Sequence, residues 1–143
     1  MSWENEYKSK LTTAEKAVEL IKSGNRVVIG HACAEPSYLV DAMVANAESY
    51  HDVEIVHMVA MGKAGYAQPG MESHFRHNAL FVGGTTRKAV AEGRGDYTPC
   101  FFYRIPSLFT NGSLPVDVAL VQATPPDENG LRDHRDDGAF RCR

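Results

Sequence analysis

Apolar residues recur along this chain in two alternating rhythms. Ala14, Ala17, Val18 and Ile21 fall at helical spacing, and Thr12-Thr13-Ala14-Glu15 ahead of them reads as a capping box with Thr12 as the cap. Gly24 stops that helix. Arg26-Val27-Val28-Ile29-Gly30 is then short, β-branched and apolar on both faces, the pattern of a buried parallel strand. Pro36 opens a second helix to about Ser49, with Leu39, Val40, Met43, Val44 and Ala47 as its inner stripe. The alternation continues with a strand over 53–61, a loop over 62–70, a strand over 79–82 and a helix over 85–92. A turn-rich connector over 93–99, a short helix over 104–109 and a strand over 116–121 follow, the last apolar on both faces and expected inside the sheet. Strands and helices in this order predict right-handed βαβ units: an α/β fold with an open, mostly parallel, Rossmann-like sheet and flanking helices.

The patterned region spans 12–130. Residues 1–11 are polar and expected to form a loosely held arm. From Leu131 the periodicity ends, and seven of the last thirteen residues are charged. That stretch reads either as a solvated tail or as sequence foreign to the fold, the native pattern ending near Gly130.

At 143 residues the chain has room for one domain, and 43% hydrophobic with 23% charged residues is a globular composition. A net charge of −3, with no dense basic face, argues against nucleic acid as a partner. No apolar run approaches the roughly 20 residues of a membrane span, and the first residues lack a signal-peptide profile. Three cysteines without a Cys-x-x-Cys pair fit a reducing cytoplasm.

Ligands of open α/β sheets bind at the carboxyl ends of the strands, which directs attention to three loops. Gly30-His31-Ala32-Cys33-Ala34-Glu35 joins the first strand to its helix; its small residues let a ligand approach the backbone. Met61-Gly62 begins a second loop of similar permissiveness. Gly83-Gly84-Thr85-Thr86-Arg87-Lys88 places hydroxyls and the cations Arg87 and Lys88 at a helix mouth, where they suit an anionic ligand, although neither a P-loop nor a Gly-x-Gly-x-x-Gly element is present. His74 and His77 stand three apart, as on one helical face, but no further ligands follow at metal-site spacing, and exposed polar histidines are expected instead. No Gly-x-Ser-x-Gly elbow supports a serine hydrolase.

Four blocks in order carry a resemblance: Gly30 to Pro36, Phe81 to Ala89, Glu92 to Pro99 and Pro115 to Val121. Together, over about 10–130, they resemble the amino-terminal region of the acetyl-CoA hydrolase/transferase family. The resemblance implies part of a CoA-transferase built from two related α/β halves with the active site between them. Such enzymes move CoA from an acyl-CoA to a small carboxylate of the acetate, butyrate or 4-hydroxybutyrate type, with coenzyme A as co-substrate and no permanently bound cofactor. A glutamate attacks the thioester, giving an acyl-glutamyl anhydride and then a glutamyl-CoA thioester. In the family that glutamate lies in the second half, so no catalytic residue is assigned here, and the chain is expected to be inactive alone. Glu128, in Asp127-Glu128-Asn129-Gly130, superficially resembles a nucleophile signature of another CoA-transferase branch; its place after the last strand makes a structural loop the better reading. The substrate-binding candidates are Gly30, His31, Ala32, Cys33, Ala34, Glu35, Met61 and Gly62, with Arg87 and Lys88 as CoA-binding candidates.

The competing reading is a self-contained, non-catalytic Rossmann-like binding or interaction domain. A sheet without its second half is expected to self-associate or aggregate.

Overall fold

The computed structural model describes residues 3–132. Most of the tail therefore lies outside the described residues. Five parallel strands, β1 (Arg26–Ile29), β2 (Val53–His57), β3 (Phe75–Ala79), β4 (Gly95–Tyr97) and β5 (Val118–Leu120), form one sheet in the order β4-β3-β2-β1-β5. Five helices punctuate them: α1 (Trp3–Lys10), α2 (Ala14–Val18), α3 (Ser37–Ala45), α4 (Arg87–Ala91) and α5 (Ile105–Thr110). The α/β parallel architecture expected from the alternating rhythm is present.

The two faces of the sheet are built differently. Val27 and Ile29 of β1, Val53, Ile55 and His57 of β2, and Phe75 and His77 of β3 are all buried. Their apolar members share the main core with Val18, Val40, Met43 and Tyr66. The opposite face carries a polar row that slants across the sheet, from the start of β1 to just past the end of β4. There Arg26 Nε donates to Glu54, Asn78 Nδ2 donates to Glu54, and Thr98 Oγ1 donates to Asn78, a hydrogen-bonded ladder across the sheet. Toward the carboxyl ends this face turns apolar, and Val28, Val56, Met58 and Leu80 pack with Ile105, Leu108 and Phe109 of α5.

Several boundaries differ from the sequence expectation, each for a physical reason. The third strand is Phe75–Ala79 rather than 79–82, because its buried positions include His77 on one face and Asn78 on the other, which hide the apolar signal. Phe81, counted within the expected strand, is exposed. The connector over 93–99 carries β4, whose Gly95 fits because a Cβ there would sit 3.1 Å from the His77 carbonyl. Thr13, not Thr12, caps α2 by accepting from the Lys16 amide. The helix after Pro36 ends at Ala45, and a 3-10 turn, Ala47–Ser49, completes the expected stretch. The strand expected inside the sheet is its edge, because no described strand pairs beyond β5. The polar arm is the helix α1, and Trp3 packs over Gly130 closely enough that a Cβ there would be 3.0 Å from its indole. Just past the expected end of the domain, the Arg132 guanidinium lies 5.0 Å from the centre of the Tyr7 ring.

Candidate functional site at the carboxyl edge of the sheet

Parallel strands align their following loops along one edge, and the loops after β1 and β2 meet there. The Ala32 amide donates to the Val59 carbonyl at 3.0 Å, joining the two backbones directly. Two alanines in these loops, Ala32 (φ 54°) and Ala64 (φ 45°), occupy the left-handed region, which costs a non-glycine residue roughly 1–2 kcal/mol. Such strain persists only where surrounding contacts over-determine it, and it clusters at functional sites. Gly30 is packed tightly: its amide donates to Leu120 O of β5, and a Cβ would lie 2.8 Å from the Ala34 carbonyl oxygen.

The residues of the first loop point in different directions. His31 is exposed, with its ring edge-on to Phe102 at 6.4 Å. Ala32, Cys33 and Ala34 form a 3-10 turn, with Cys33 exposed. Glu35 turns inward and is 6% exposed. Its Oε2 accepts from the amides of Met61 (2.8 Å) and Gly62 (3.0 Å). The approach is so close that a Cβ at Gly62 would overlap Glu35 Oε1, so glycine is required where the carboxylate meets the backbone. Met61 is exposed beside it. Beneath His31, a cavity of about 190 Å³ lies between the second sheet face and α5, walled by Val28, Val56, Leu80, Phe102 and Phe109.

Behind Glu35 stands a buried polar cluster that the periodicity did not reveal. His57 is 1% exposed; its Nε2 faces Glu35 Oε2 at 3.9 Å, and its Nδ1 lies 2.7 Å from Tyr66 Oη. Tyr66 packs in turn on His77, ring centres 5.5 Å apart. His57 Nε2 and His77 Nε2 are buried without hydrogen-bond partners. Burial holds the His57 pKa below its ordinary value, against the raising influence of the Glu35 carboxylate and the Gly30 carbonyl. Burial pushes His77 down to about 4, and burial with the Glu35 charge raises the Tyr66 phenol. The sequence signal for this cluster was His57 inside the apolar run over 53–61; His77, in the mixed stretch Phe-Arg-His-Asn-Ala, carried none.

The remaining candidates lie apart. Arg87 and Lys88 are exposed on the five-residue α4, and Lys88 Nζ is 3.8 Å from Glu92. The expectation of histidines on one helical face is corrected: His77 is in β3, and His74 bonds the Tyr50 carbonyl through Nδ1. The expectation of exposed histidines holds for His31 and His51 and fails for His57 and His77, which are fully buried. Among the described residues no cluster suits a metal ion. Glu128 is exposed on a turn in which Asp127 Oδ1 accepts from the Asn129 and Leu131 amides. No helix of the described residues is long and apolar enough to cross a membrane.

A parallel sheet with flanking helices and two interlocked strand-end loops defines a segment of the α/β class. Comparison with known proteins makes this specific. The acetyl-CoA hydrolase/transferase N-terminal domain family matches residues 1–132. The chain is 62% identical over 130 residues to 4-hydroxybutyrate coenzyme A transferase of Clostridium kluyveri, covering 91% of this chain and 30% of that protein. It is 36% identical to a succinyl-CoA:acetate/propanoyl-CoA:succinate CoA transferase of Fasciola hepatica, covering 84% of this chain and 25% of that one. The crystal structure of 4-hydroxybutyrate CoA-transferase from Porphyromonas gingivalis superposes with a TM-score of 0.72 at 31% identity, over 92% of this chain and 29% of that one. The chain belongs to the acetyl-CoA hydrolase/transferase family, as its N-terminal domain, and it spans about 30% of the length of the relatives it matches.

Proposed function

We propose that this chain supplies the amino-terminal wall of a CoA-transferase that moves CoA between an acyl-CoA and a small carboxylate. The observation that carries the reading is the 62% identity to the Clostridium kluyveri transferase across the segment that folds into both strand-end loops. In this reading the backbone of residues 30–34, the His31 ring and the exposed Met61 face the cleft. The remaining two thirds of a full-length enzyme contribute the glutamate that attacks the thioester. The first displacement releases CoA thiolate and leaves an acyl-glutamyl anhydride. Thiolate attack on the glutamyl carbonyl then expels the carboxylate and leaves glutamyl-CoA, and the acceptor carboxylate reverses the sequence. His31, at the rim of an apolar cavity, is placed to donate to a carboxylate or thioester oxygen. Arg87 and Lys88 are solvent-facing cations in this reading, and any contact with CoA is through charge attraction at the surface.

A fusion tests the proposal. Residues 1–130 of this chain replace the matching segment of the Clostridium kluyveri enzyme, and CoA transfer from acetyl-CoA to 4-hydroxybutyrate or butyrate is measured. Turnover above a fusion whose second-half nucleophile is removed is expected. A folded but inactive fusion would overturn the reading. The 143-residue chain alone is expected to give no exchange above a boiled control, because the covalent route is absent rather than weakened.

A further inference from the structure

We propose that Glu35 is a positioning residue: its buried carboxylate, backed by His57, clamps the loop after β2 in the conformation that presents Met61 to the ligand. The inference rests on the transferase reading for what the loop serves, but the clamp itself is argued from geometry. A buried carboxylate costs several kcal/mol in lost hydration unless donors replace the water. Here the Met61 and Gly62 amides converge on one oxygen, at 2.8 and 3.0 Å. Those two amides belong to a loop containing a left-handed alanine, Ala64, so the segment needs an external restraint to keep its shape. The absence of a side chain at Gly62 is what lets the carboxylate reach the backbone.

His57 makes the clamp more than a local bond. Its ring occupies the space behind Glu35 Oε2, 3.9 Å away, and is itself tied to Tyr66. We assign the proton of neutral His57 to Nε2, toward the carboxylate, which leaves Nδ1 to accept from the Tyr66 hydroxyl. The row Glu35, His57, Tyr66 thus runs from the first loop to the 3-10 turn Gly65–Ala67 within the second. Two points of the second loop, Met61-Gly62 and Tyr66, are therefore held by members of one buried row. Glu35 is itself buried, so its effect on ligand passes through the loop that it holds.

Two measurements test this. Hydrogen exchange on the 143-residue chain compares Glu35→Ala with the parent: the Met61 and Gly62 amides are expected to exchange at least tenfold faster, while the β1 and β2 amides keep their protection. Glu35→Gln, which retains a carbonyl oxygen of the same reach, is expected to restore protection and guards against a Glu35→Ala variant that does not fold. In the full-length fusion, Glu35→Ala is expected to raise KM for the carboxylate about tenfold with a smaller change in kcat, and Glu35→Gln to recover most of it. Unchanged exchange at Met61 and Gly62 in a folded Glu35→Ala chain would overturn the clamp. Released amides with unchanged KM would overturn its positioning role. An inactive parent fusion would instead count against the transferase reading, and the exchange result would still decide the clamp.

Discussion

His57 Nδ1 lies 2.7 Å from the Tyr66 hydroxyl, and both side chains are almost completely buried. His57 Nε2, by contrast, stands 3.9 Å from Glu35 and has no hydrogen-bond partner among the described residues. Removing the hydroxyl in Tyr66→Phe leaves both ring nitrogens buried and unpaired. A loss of about 1–3 kcal/mol in urea unfolding is expected, the desolvation penalty of an orphaned acceptor. A variant as stable as the parent would show that the pair contributes nothing.

The buried histidines make the fold acid-sensitive. Burial sets the His77 pKa at about 4 in the folded chain, against 6.5 for an unperturbed histidine. Above pH 6.5 both states are neutral and stability is unaffected. As pH falls through 6.5 the unfolded chain takes up a proton that the folded chain refuses until about pH 4, so stability declines across that window and levels off below it. At about 1.4 kcal/mol per pKa unit the decline attributable to His77 is roughly 3 kcal/mol. The His57 pKa is lowered as well and adds to it in the same direction. Thermal midpoints from pH 8 to pH 4 measure the effect, and His77→Leu, close in volume, is expected to flatten the curve.

Gly30 is fixed by contact with backbone, where no side-chain rotation gives relief. A methyl group at this position would lie 2.8 Å from Ala34 O and 3.6 Å from Leu120 O. Gly30→Ala is therefore expected to cost about 1–3 kcal/mol, the range for overpacking. It also strains the Gly30-to-Leu120 hydrogen bond that holds the edge strand. Denaturant midpoints check the first expectation, and faster hydrogen exchange in β5 than in β2 checks the second.

His31 is the one polar side chain at the rim of the apolar cavity. In the full-length fusion, His31→Ala is expected to lower kcat/KM about fivefold to a hundredfold, the loss of a charge-assisted hydrogen bond of roughly 1–3 kcal/mol. Unchanged kcat/KM for both acyl-CoA and carboxylate would remove His31 from the site.

The isolated chain is expected to self-associate. Phe101, Phe102 and Tyr103 are each at least 70% exposed, and Phe101 helps wall a groove of about 540 Å³ with Tyr97, Cys100 and Leu108. On the other side of the molecule β5 offers an unpaired edge flanked by exposed Val116 and Val121. Contiguous aromatic surface and an open strand edge are both templates for association. Light scattering after size exclusion at micromolar concentration is expected to show dimers or larger species, and Phe102→Ser with Tyr103→Ser to shift them downward. A clean monomer with a sharp thermal transition would show that the fold closes without further chain.

Where the sequence spoke, it did so through repetition. The β-branched runs at 26–30 and 53–57 and the helical stripe Val40, Met43, Ala47 were legible because burial on a strand or a helix imposes its own period on the apolar residues. The two loops at the carboxyl edge were legible for a related reason: in parallel sheets the strand ends and the ligand edge coincide. Tertiary structure alone decided the rest. It placed Glu35, a candidate for touching substrate, under the backbone of Met61 and Gly62, and it made His57 and His77 interior. A polar side chain inside a core is stabilised by partners distant in sequence, such as Tyr66 for His57 and the Ile55 carbonyl for His77, and no local pattern records such partners. Strand order was hidden for the same reason. That β5 pairs with β1 rather than β4 depends on contacts across ninety residues, such as Asp117 Oδ2 accepting from the Arg26 amide, which sequence periodicity does not encode.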